Sequence, residues 1–185
     1  MTVRKLLQRR SGGWRFTQPV TVGDHFRIAT VRDWPSFVNT STEGRYIQLG
    51  HGMKWIEGWE HFDLPEYNAE CDTIPLPEES VVGIATYNML DHVSDPRKVL
   101  IEAGRVLKDG GTFTCIVPHY LGELAHSCFD HKSQFAVDSW RNALDNAHDP
   151  SQGAIPFELG FNMIMGLSEN NLFLVTQMIR KPRSE

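Results

Sequence analysis

The chain has 185 residues, of which 41% are hydrophobic and 22% are charged, and its formal net charge is −5. This length and composition predict one globular domain, and no apolar run reaches the length needed to span a bilayer. The negative charge argues against a nucleic acid partner, because phosphate binding needs a concentrated basic face.

The first 44 residues have the weakest pattern. MTVRKLLQRRSGGW is basic, but it has too few apolar residues for a secretory signal. LLQRR predicts the start of a short basic helix that Gly12-Gly13 would end. Turn formers and β-branched residues follow up to Gly44, so we expect an arm or a short ribbon packed across the core. A lid that supplies Trp14, Phe16 and His25 to a substrate pocket is the alternative.

The first core strand is predicted at Tyr46–Leu49, where apolar residues alternate. Gly50-His51-Gly52 follows it, and glycine lets backbone N–H groups approach a ligand closely because no Cβ intervenes. The next strand is predicted at His61–Leu64. Within it Asp63 supplies a carboxylate that could accept both hydroxyls of a ribose. By itself, a Gly-x-Gly sequence also fits a plain turn between two strands.

The connections around this second strand are short. Only residues 53–60 precede it, which is too few for the crossover helix of a parallel pair, and a similar link joins Asp63 to Asp72. We therefore expect one thinly covered face of the sheet. The N-terminal arm or the second chain of a homodimer would cover it.

Strand and helix alternate in the middle of the chain. Val81–Tyr87 is a near-continuous apolar run, as in a central parallel strand. A helix is predicted to begin at Ser94-Asp95-Pro96 and to run to Lys108, with Asp109-Gly110-Gly111 as its C-terminal end. TFTCIVP then predicts the next strand, which Pro118 ends. Later in the chain we expect a helix at about 137–147 and two strands at 157–165 and 171–180.

The segment after Pro118 contains four residues that can bind metal, namely His119, His126, Cys128 and His131. Their spacing fits none of the paired-ligand signatures of zinc sites, so no metal site is predicted. Any one of these histidines could instead hydrogen-bond a loop. The chain has three widely spaced cysteines, and their odd number predicts reduced thiols and a cytoplasmic location.

Five sequence pieces occur in order between residues 46 and 140: LGHG, GW followed by FD, CDTIPLPEES, MLDH and GRVLKDGG. They resemble the L-G-C-G, G-W-x-N-x-D, L-P-F-x-x-x-S, L-E-H and R-V-L-K-P-G-G elements of the class I S-adenosylmethionine-dependent methyltransferases, in particular the small type 11 branch. The resemblance implies an α/β fold with a Rossmann-like, mostly parallel sheet and an antiparallel closing strand. Residues 45–180 would form this core and residues 1–44 the arm or lid of a single domain.

The resemblance also implies S-adenosyl-L-methionine as cofactor. The cofactor contacts that it implies are Gly50, His51, Gly52, Asp63, Asp72, Thr73, Asn88 and Met89. The two glycines would pack against the methionine part and Asp63 would bind the ribose. Asp72 and Thr73 would flank the adenine, while Asn88 and Met89 would line the methyl-bearing end.

In relatives the segment that corresponds to HKSQF lies over the mouth of the active site. This implies His131 and His119 as catalytic candidates, with His131 as a general base because imidazole titrates near neutrality. Tyr120 and His92 are the implied substrate-pocket residues. The methyl acceptor is expected to be a small molecule, a sugar or a glycan intermediate.

Four positions depart from the family pattern, and one of them is Lys54, which stands where a small residue is common. His51 stands between the two glycines, Gly83 replaces an aspartate, and Asp91 shortens the glutamate of L-E-H. An inactive methyltransferase-like module that binds or assembles with a partner is therefore the alternative function. The two functions differ at Asp63, because an enzyme needs that carboxylate to face an open cleft.

Overall fold

The computed structural model describes residues 7–10, 13–16, 43–50, 56–145, 154–166 and 172–183. The first two ranges are strands β1 (Leu7–Arg10) and β2 (Gly13–Phe16), which pair as an antiparallel hairpin apart from the main sheet. The helix predicted at LLQRR is therefore wrong, and the N-terminal segment contains a short ribbon instead. His25 lies outside the described residues.

The main sheet has six strands in the order β4-β3-β5-β6-β8-β7. Its parallel strands are β3 (Arg45–Leu49), β4 (Glu60–Phe62), β5 (Val81–Tyr87) and β6 (Leu107–Pro118). β7 (Phe157–Gly166) and β8 (Leu172–Arg180) close the sheet as an antiparallel pair, with β8 antiparallel to β6. The predicted fold class is confirmed.

Helix α1 (Pro96–Val106) links β5 to β6 and begins as its sequence predicts. The Asp95 side chain accepts a hydrogen bond from the backbone N–H of Arg97 at 3.1 Å, and a proline occupies the first turn, where no N–H donor is needed. Val99, Leu100 and Ala103 are buried on the inner face of this helix. The helix therefore packs against the sheet through one apolar stripe.

The predicted end of α1 is wrong. The helix stops at Val106, and Leu107 already has extended backbone angles of φ −72° and ψ 139°. Val81 pairs with Leu107 and Gly83 with Thr112, so the intervening residues of β6 bulge out of the ladder. Gly110 adopts φ +75° within this bulge. The glycine pair thus serves a bulge at the start of β6 and not a helix cap.

Three shorter helical elements complete the described part of the chain. A 3₁₀ turn covers Leu90–His92, and α2 covers Leu124–Ser127. Helix α3 (Ser139–Asp145) lies inside the predicted 137–147 range, of which 146 and 147 are outside the described residues. No helix within the described ranges is long and apolar enough to cross a bilayer.

Two hydrophobic clusters fill the two faces of the sheet. The larger cluster combines the inner face of α1 with Trp140 of α3 and alternate side chains of the central strands. The smaller cluster includes Ile56 and Trp59, and Leu124 of α2 is the only contribution that a described helix makes to it. The face with the smaller cluster therefore has the thinner cover, as the short connections predict.

Candidate functional site

A cleft of about 220 Å³ lies where β3, β4 and β5 end. Open α/β sheets bind ligands at the carboxyl ends of their strands, so this position is the expected one. Four of the predicted site residues line the cleft, namely Gly50, Asp63, Met89 and His92. His51 and Gly52 lie outside the described residues.

Gly50 brings the end of β3 against the residue that follows β5. Its φ is +63°, and a Cβ at this position would lie 2.4 Å from Cγ of Met89. Its backbone N–H donates a hydrogen bond to the carbonyl of Phe62 at 2.8 Å, which ties the ends of β3 and β4 together. Glycine is required here by both the left-handed conformation and the close approach.

Asp63 directly follows β4 and is held by its own turn. Its Oδ1 accepts a hydrogen bond from the N–H of Leu64 at 2.9 Å, and its carbonyl accepts one from the N–H of Tyr67 at 2.9 Å. Tyr67 is buried in the wall of the cleft, and burial raises its pKa to about 12. The carboxylate of Asp63 therefore lies on an open cleft beside a tyrosine that stays neutral.

The structure does not bring Asp72 and Thr73 to this cleft, and both are exposed. Oδ2 of Asp72 accepts a hydrogen bond from the N–H of Asn68 at 2.7 Å, and Oδ1 accepts one from the thiol of Cys71 at 3.6 Å. Asp72 thus stabilises the turn that follows Tyr67. The predicted adenine contacts of Asp72 and Thr73 stay a prediction.

Asn88 adopts the left-handed conformation with φ +48°, which asparagine tolerates better than most residues. Its N–H donates to the carbonyl of Ile116 at 2.8 Å. Its Oδ1 is buried, and no described residue gives it a hydrogen bond. Buried polar atoms are nearly always paired, so this amide oxygen is an exception, but Asn88 does not line the cleft and its predicted cofactor contact stays a prediction.

Glu70 and Lys132 meet at the cleft from two distant parts of the chain. Nζ of Lys132 lies 2.5 Å from Oε1 of Glu70, and the N–H of Ser94 donates to the same oxygen at 2.9 Å. The hydrogen bond from Lys132 lowers the pKa of Glu70. Sequence patterns did not indicate either residue, because the pair is 62 positions apart and each partner lies in a loop.

His119 and Tyr120 are not part of the cleft lining. His119 is buried, its Nδ1 accepts a hydrogen bond from the N–H of Leu121 at 3.3 Å, and burial lowers its pKa to about 4. Tyr120 is 42% exposed. His119 is therefore neutral at pH 7 and has a structural contact in its loop, and its predicted catalytic role stays a prediction.

His131 lies next to Asp91 and not in the lining of the cleft. Nε2 of His131 is 3.0 Å from Oδ2 of Asp91, and Nε2 of His92 is 3.7 Å from the same oxygen. Burial raises the pKa of Asp91. The sequence analysis treated Asp91 only as a shortened glutamate, although its adjacency to His92 at a strand end is the kind of signal that marks a site.

Residues 55–115 match the family model of a methyltransferase domain. No curated protein matches the chain at a significant level.

Several solved structures have a similar fold. A complex of the Haloferax volcanii Trm112 methyltransferase activator with a candidate methyltransferase gives a TM-score of 0.63 at 12% identity, over 84% of this chain and 90% of that chain. An S-adenosylmethionine-dependent methyltransferase from Mesorhizobium loti gives a TM-score of 0.58 at 14% identity, over 80% of this chain and 97% of that chain. A candidate S-adenosylmethionine-dependent methyltransferase from Listeria monocytogenes gives a TM-score of 0.58 at 9% identity, over 82% of this chain and 96% of that chain.

Proposed function

We propose that the cleft presents the methyl group of S-adenosylmethionine to a polar acceptor, because residues 55–115 match the family model of a methyltransferase domain and the fold is similar to that of solved S-adenosylmethionine-dependent methyltransferases. The family match bears out the predicted resemblance and supports the enzyme class and S-adenosyl-L-methionine as cofactor. The residues that hold the cofactor and the nature of the acceptor are our proposal.

The observation that carries the proposal is the joint position of Gly50 and Asp63 on one open cleft. Gly50 leaves room for the cofactor because it has no side chain, and the carboxylate of Asp63 can accept hydrogen bonds from ribose hydroxyls. The described residues enclose about 220 Å³, whereas ligand sites usually span about 300–1,000 Å³. They therefore form part of the site, and residues 51–55 follow Gly50 directly.

The cofactor supplies an electrophilic methyl group when it is bound. The protein then has to align the acceptor with that methyl group and provide for the loss of a proton where the acceptor carries one. Of the histidines that the structure describes, His92 is the one that lines the cleft. His131 would act on it through Asp91, as a positioning residue.

We propose a small polar molecule, a sugar or a glycan intermediate as the acceptor. Glu70, His92 and Lys132 offer donors and acceptors for hydroxyl groups along the cleft. The three cysteines are free thiols, which supports a reducing, cytoplasmic compartment as the place of action.

Calorimetry with S-adenosylhomocysteine tests the cofactor site. We expect micromolar binding to the wild type and at least tenfold weaker binding to Asp63→Asn, because hydrogen bonds to a charged group are worth about 1.5–3 kcal/mol. Glu158→Gln is the matched control, since this exposed carboxylate lies on β7 outside the cleft. If the wild type does not bind, the inactive binding module is the better description.

A further inference from the structure

Asp91, His92 and His131 bring one carboxylate and two imidazoles together beside the cleft. The ligand atoms of the three residues lie within 4.8 Å of one another, and the two distances from Oδ2 of Asp91 are 3.0 and 3.7 Å. Zinc bonds of about 2.0–2.2 Å in a tetrahedral site place neighbouring ligand atoms roughly 3.3–3.6 Å apart. The spacing of the three side chains therefore fits a single small cation.

The orientation of the two imidazole rings supports this arrangement. Both rings direct Nε2 toward Asp91. Nδ1 of His92 lies 3.0 Å from a carboxylate oxygen of Asp130, and Nδ1 of His131 lies 3.4 Å from the carbonyl of Ala125. These oxygens can accept a hydrogen bond from Nδ1, and in the tautomer with the proton at Nδ1 each ring presents a lone pair at Nε2. Metal-binding histidines are held in this way by acceptors behind them.

In that tautomer the Nε2 lone pairs of His92 and His131 both face Oδ2 of Asp91. Asp91 is 1% exposed, and neither of its carboxylate oxygens has a well-formed hydrogen-bond partner among the described residues. The side chain of His131 is only 6% exposed. Burial of a carboxylate is unfavourable without a compensating charge. A cation would supply that charge.

We propose that Asp91, His92 and His131 form a binding site for one divalent transition-metal cation, with Zn²⁺ as the best-suited ion. Two imidazoles and one carboxylate are the protein ligands of one class of catalytic zinc sites, which keep a further position open. The spacing argument from sequence did not find this set, because it considered only residues after Pro118. Asp91 and His92 lie on the 3₁₀ turn after β5.

His92 lines the cleft, so the cation would lie beside the acceptor side of the proposed active site. A metal-bound hydroxyl group loses its proton at lower pH than a free one. The cation could therefore help to activate a hydroxyl acceptor. This role rests on the proposed methyl transfer, whereas the cation site itself does not.

Titration calorimetry of chelator-treated protein with ZnCl₂ tests the site. We expect one Zn²⁺ per chain in the wild type. Asp91→Asn and His92→Gln are each expected to weaken binding at least tenfold, and Asp130→Asn, which removes the acceptor behind His92, by about 10–100-fold. His126→Gln is the matched control, because His126 is an exposed neighbour outside this cluster. Circular dichroism checks that each variant is folded.

Asp130 is 73% exposed and His92 is 37% exposed, so Asp130→Asn and His92→Gln decide the question if the buried Asp91→Asn does not fold. Absence of one-to-one Zn²⁺ binding in the wild type, or an equal loss in His126→Gln, overturns the proposal. Cys128, Asp130 and His131 also lie within 4.8 Å. Zinc binding that is lost in Cys128→Ser and kept in His92→Gln would assign the ion to that second set and overturn the site proposed above.

S-adenosylhomocysteine binding to the wild type belongs in the same series. If Zn²⁺ binds and S-adenosylhomocysteine does not, the cation site stands and the proposed function fails. If S-adenosylhomocysteine binds and Zn²⁺ does not, the proposed function stands and the cation site fails.

Discussion

At Gly50, the backbone conformation and the neighbouring side chain of Met89 both require a glycine. Gly50→Ala would place a Cβ in a left-handed residue, which is unfavourable by about 1–2 kcal/mol, and would also press it against Met89. We expect a loss of roughly 2–4 kcal/mol in the free energy of unfolding, from this strain and from overpacking, together with loss of S-adenosylhomocysteine binding. Urea unfolding and calorimetry measure the two effects.

Gly58→Ala is the control for Gly50→Ala. Gly58 has φ +80°, but nothing lies within 4 Å of the position of a Cβ. This variant should show the backbone strain alone. Equal destabilisation by the two variants would mean that the contact with Met89 is unimportant.

His119 makes stability depend on pH. The ordinary pKa of its imidazole is 6.5, and burial lowers it to about 4 in the folded protein. The unfolded chain therefore binds this proton first, so the folded state loses stability as pH falls from about 6.5 to about 4. The loss approaches about 3 kcal/mol for a shift of this size. Above pH 6.5 the residue makes no such contribution.

Urea unfolding between pH 4 and pH 8 measures this dependence. As the pH falls through this window, the free energy of unfolding of the wild type should decrease relative to that of His119→Gln. His126→Gln, which changes an exposed histidine, should follow the wild type. Parallel curves for the wild type and His119→Gln would contradict the prediction.

Single site residues were predictable from sequence where their position follows from the end of a strand. Gly50, Asp63 and Met89 each come directly or almost directly after one, and neighbouring parallel strands bring such positions to one edge of the sheet. Asp72 did not follow this rule, because its carboxylate is used in the local turn with Asn68. Lys132 could not be predicted, because its place depends on how a long loop folds back.

At the scale of elements, α1 packs so closely that one of its residues has to be small. A Cβ at Gly104 would lie 2.3 Å from Cγ of Pro156. Gly104→Ala gains about 1 kcal/mol in helix propensity, but overpacking against a rigid proline ring costs about 1–3 kcal/mol. We therefore expect net destabilisation, measured by thermal or urea unfolding. Lys98→Ala, at an exposed position of α1, should change stability by less than about 0.5 kcal/mol.

Elements were predictable where apolar periodicity is strong and hard to predict where glycines decide. The continuous run of β5 gave the bounds of that strand, and the apolar stripe of α1 gave the position and the start of that helix. In LKDGG the same glycines suit a helix end or a strand bulge, and pairing of Leu107 with Val81 selects the bulge. The hairpin of β1 and β2 was missed because LQRR and GWRF lack clear alternation, and strand pairing across two residues fixes it instead.

At the scale of the whole molecule, the ion pair between Glu70 and Lys132 joins the loop after β4 to the segment after β6 across the cleft. Lys132→Met should change stability by less than about 1 kcal/mol, because both side chains are partly exposed and such pairs are weak. It should nevertheless speed release of S-adenosylhomocysteine several-fold, since the ion pair then no longer joins the two segments at the cleft. Stopped-flow displacement measures the release rate, and Lys98→Met is the control. An unchanged release rate would contradict the prediction that the ion pair between Glu70 and Lys132 slows release of the ligand.

The strand order implies that the segment that matches the family model cannot fold cooperatively by itself. β3 lies between β4 and β5 in the sheet, yet residues 55–115, which match the family model, leave β3 out and stop within β6. A peptide of residues 55–115 would contain β4, β5 and part of β6. Without β3, β4 and β5 would share no hydrogen-bonded ladder, and the edge of β6 that pairs with β8 would be uncovered. To fold by itself, residues 55–115 therefore need β3 before them and β8 after them. Truncated variants of this protein have to keep residues 45–49 and 172–180 together with residues 55–115.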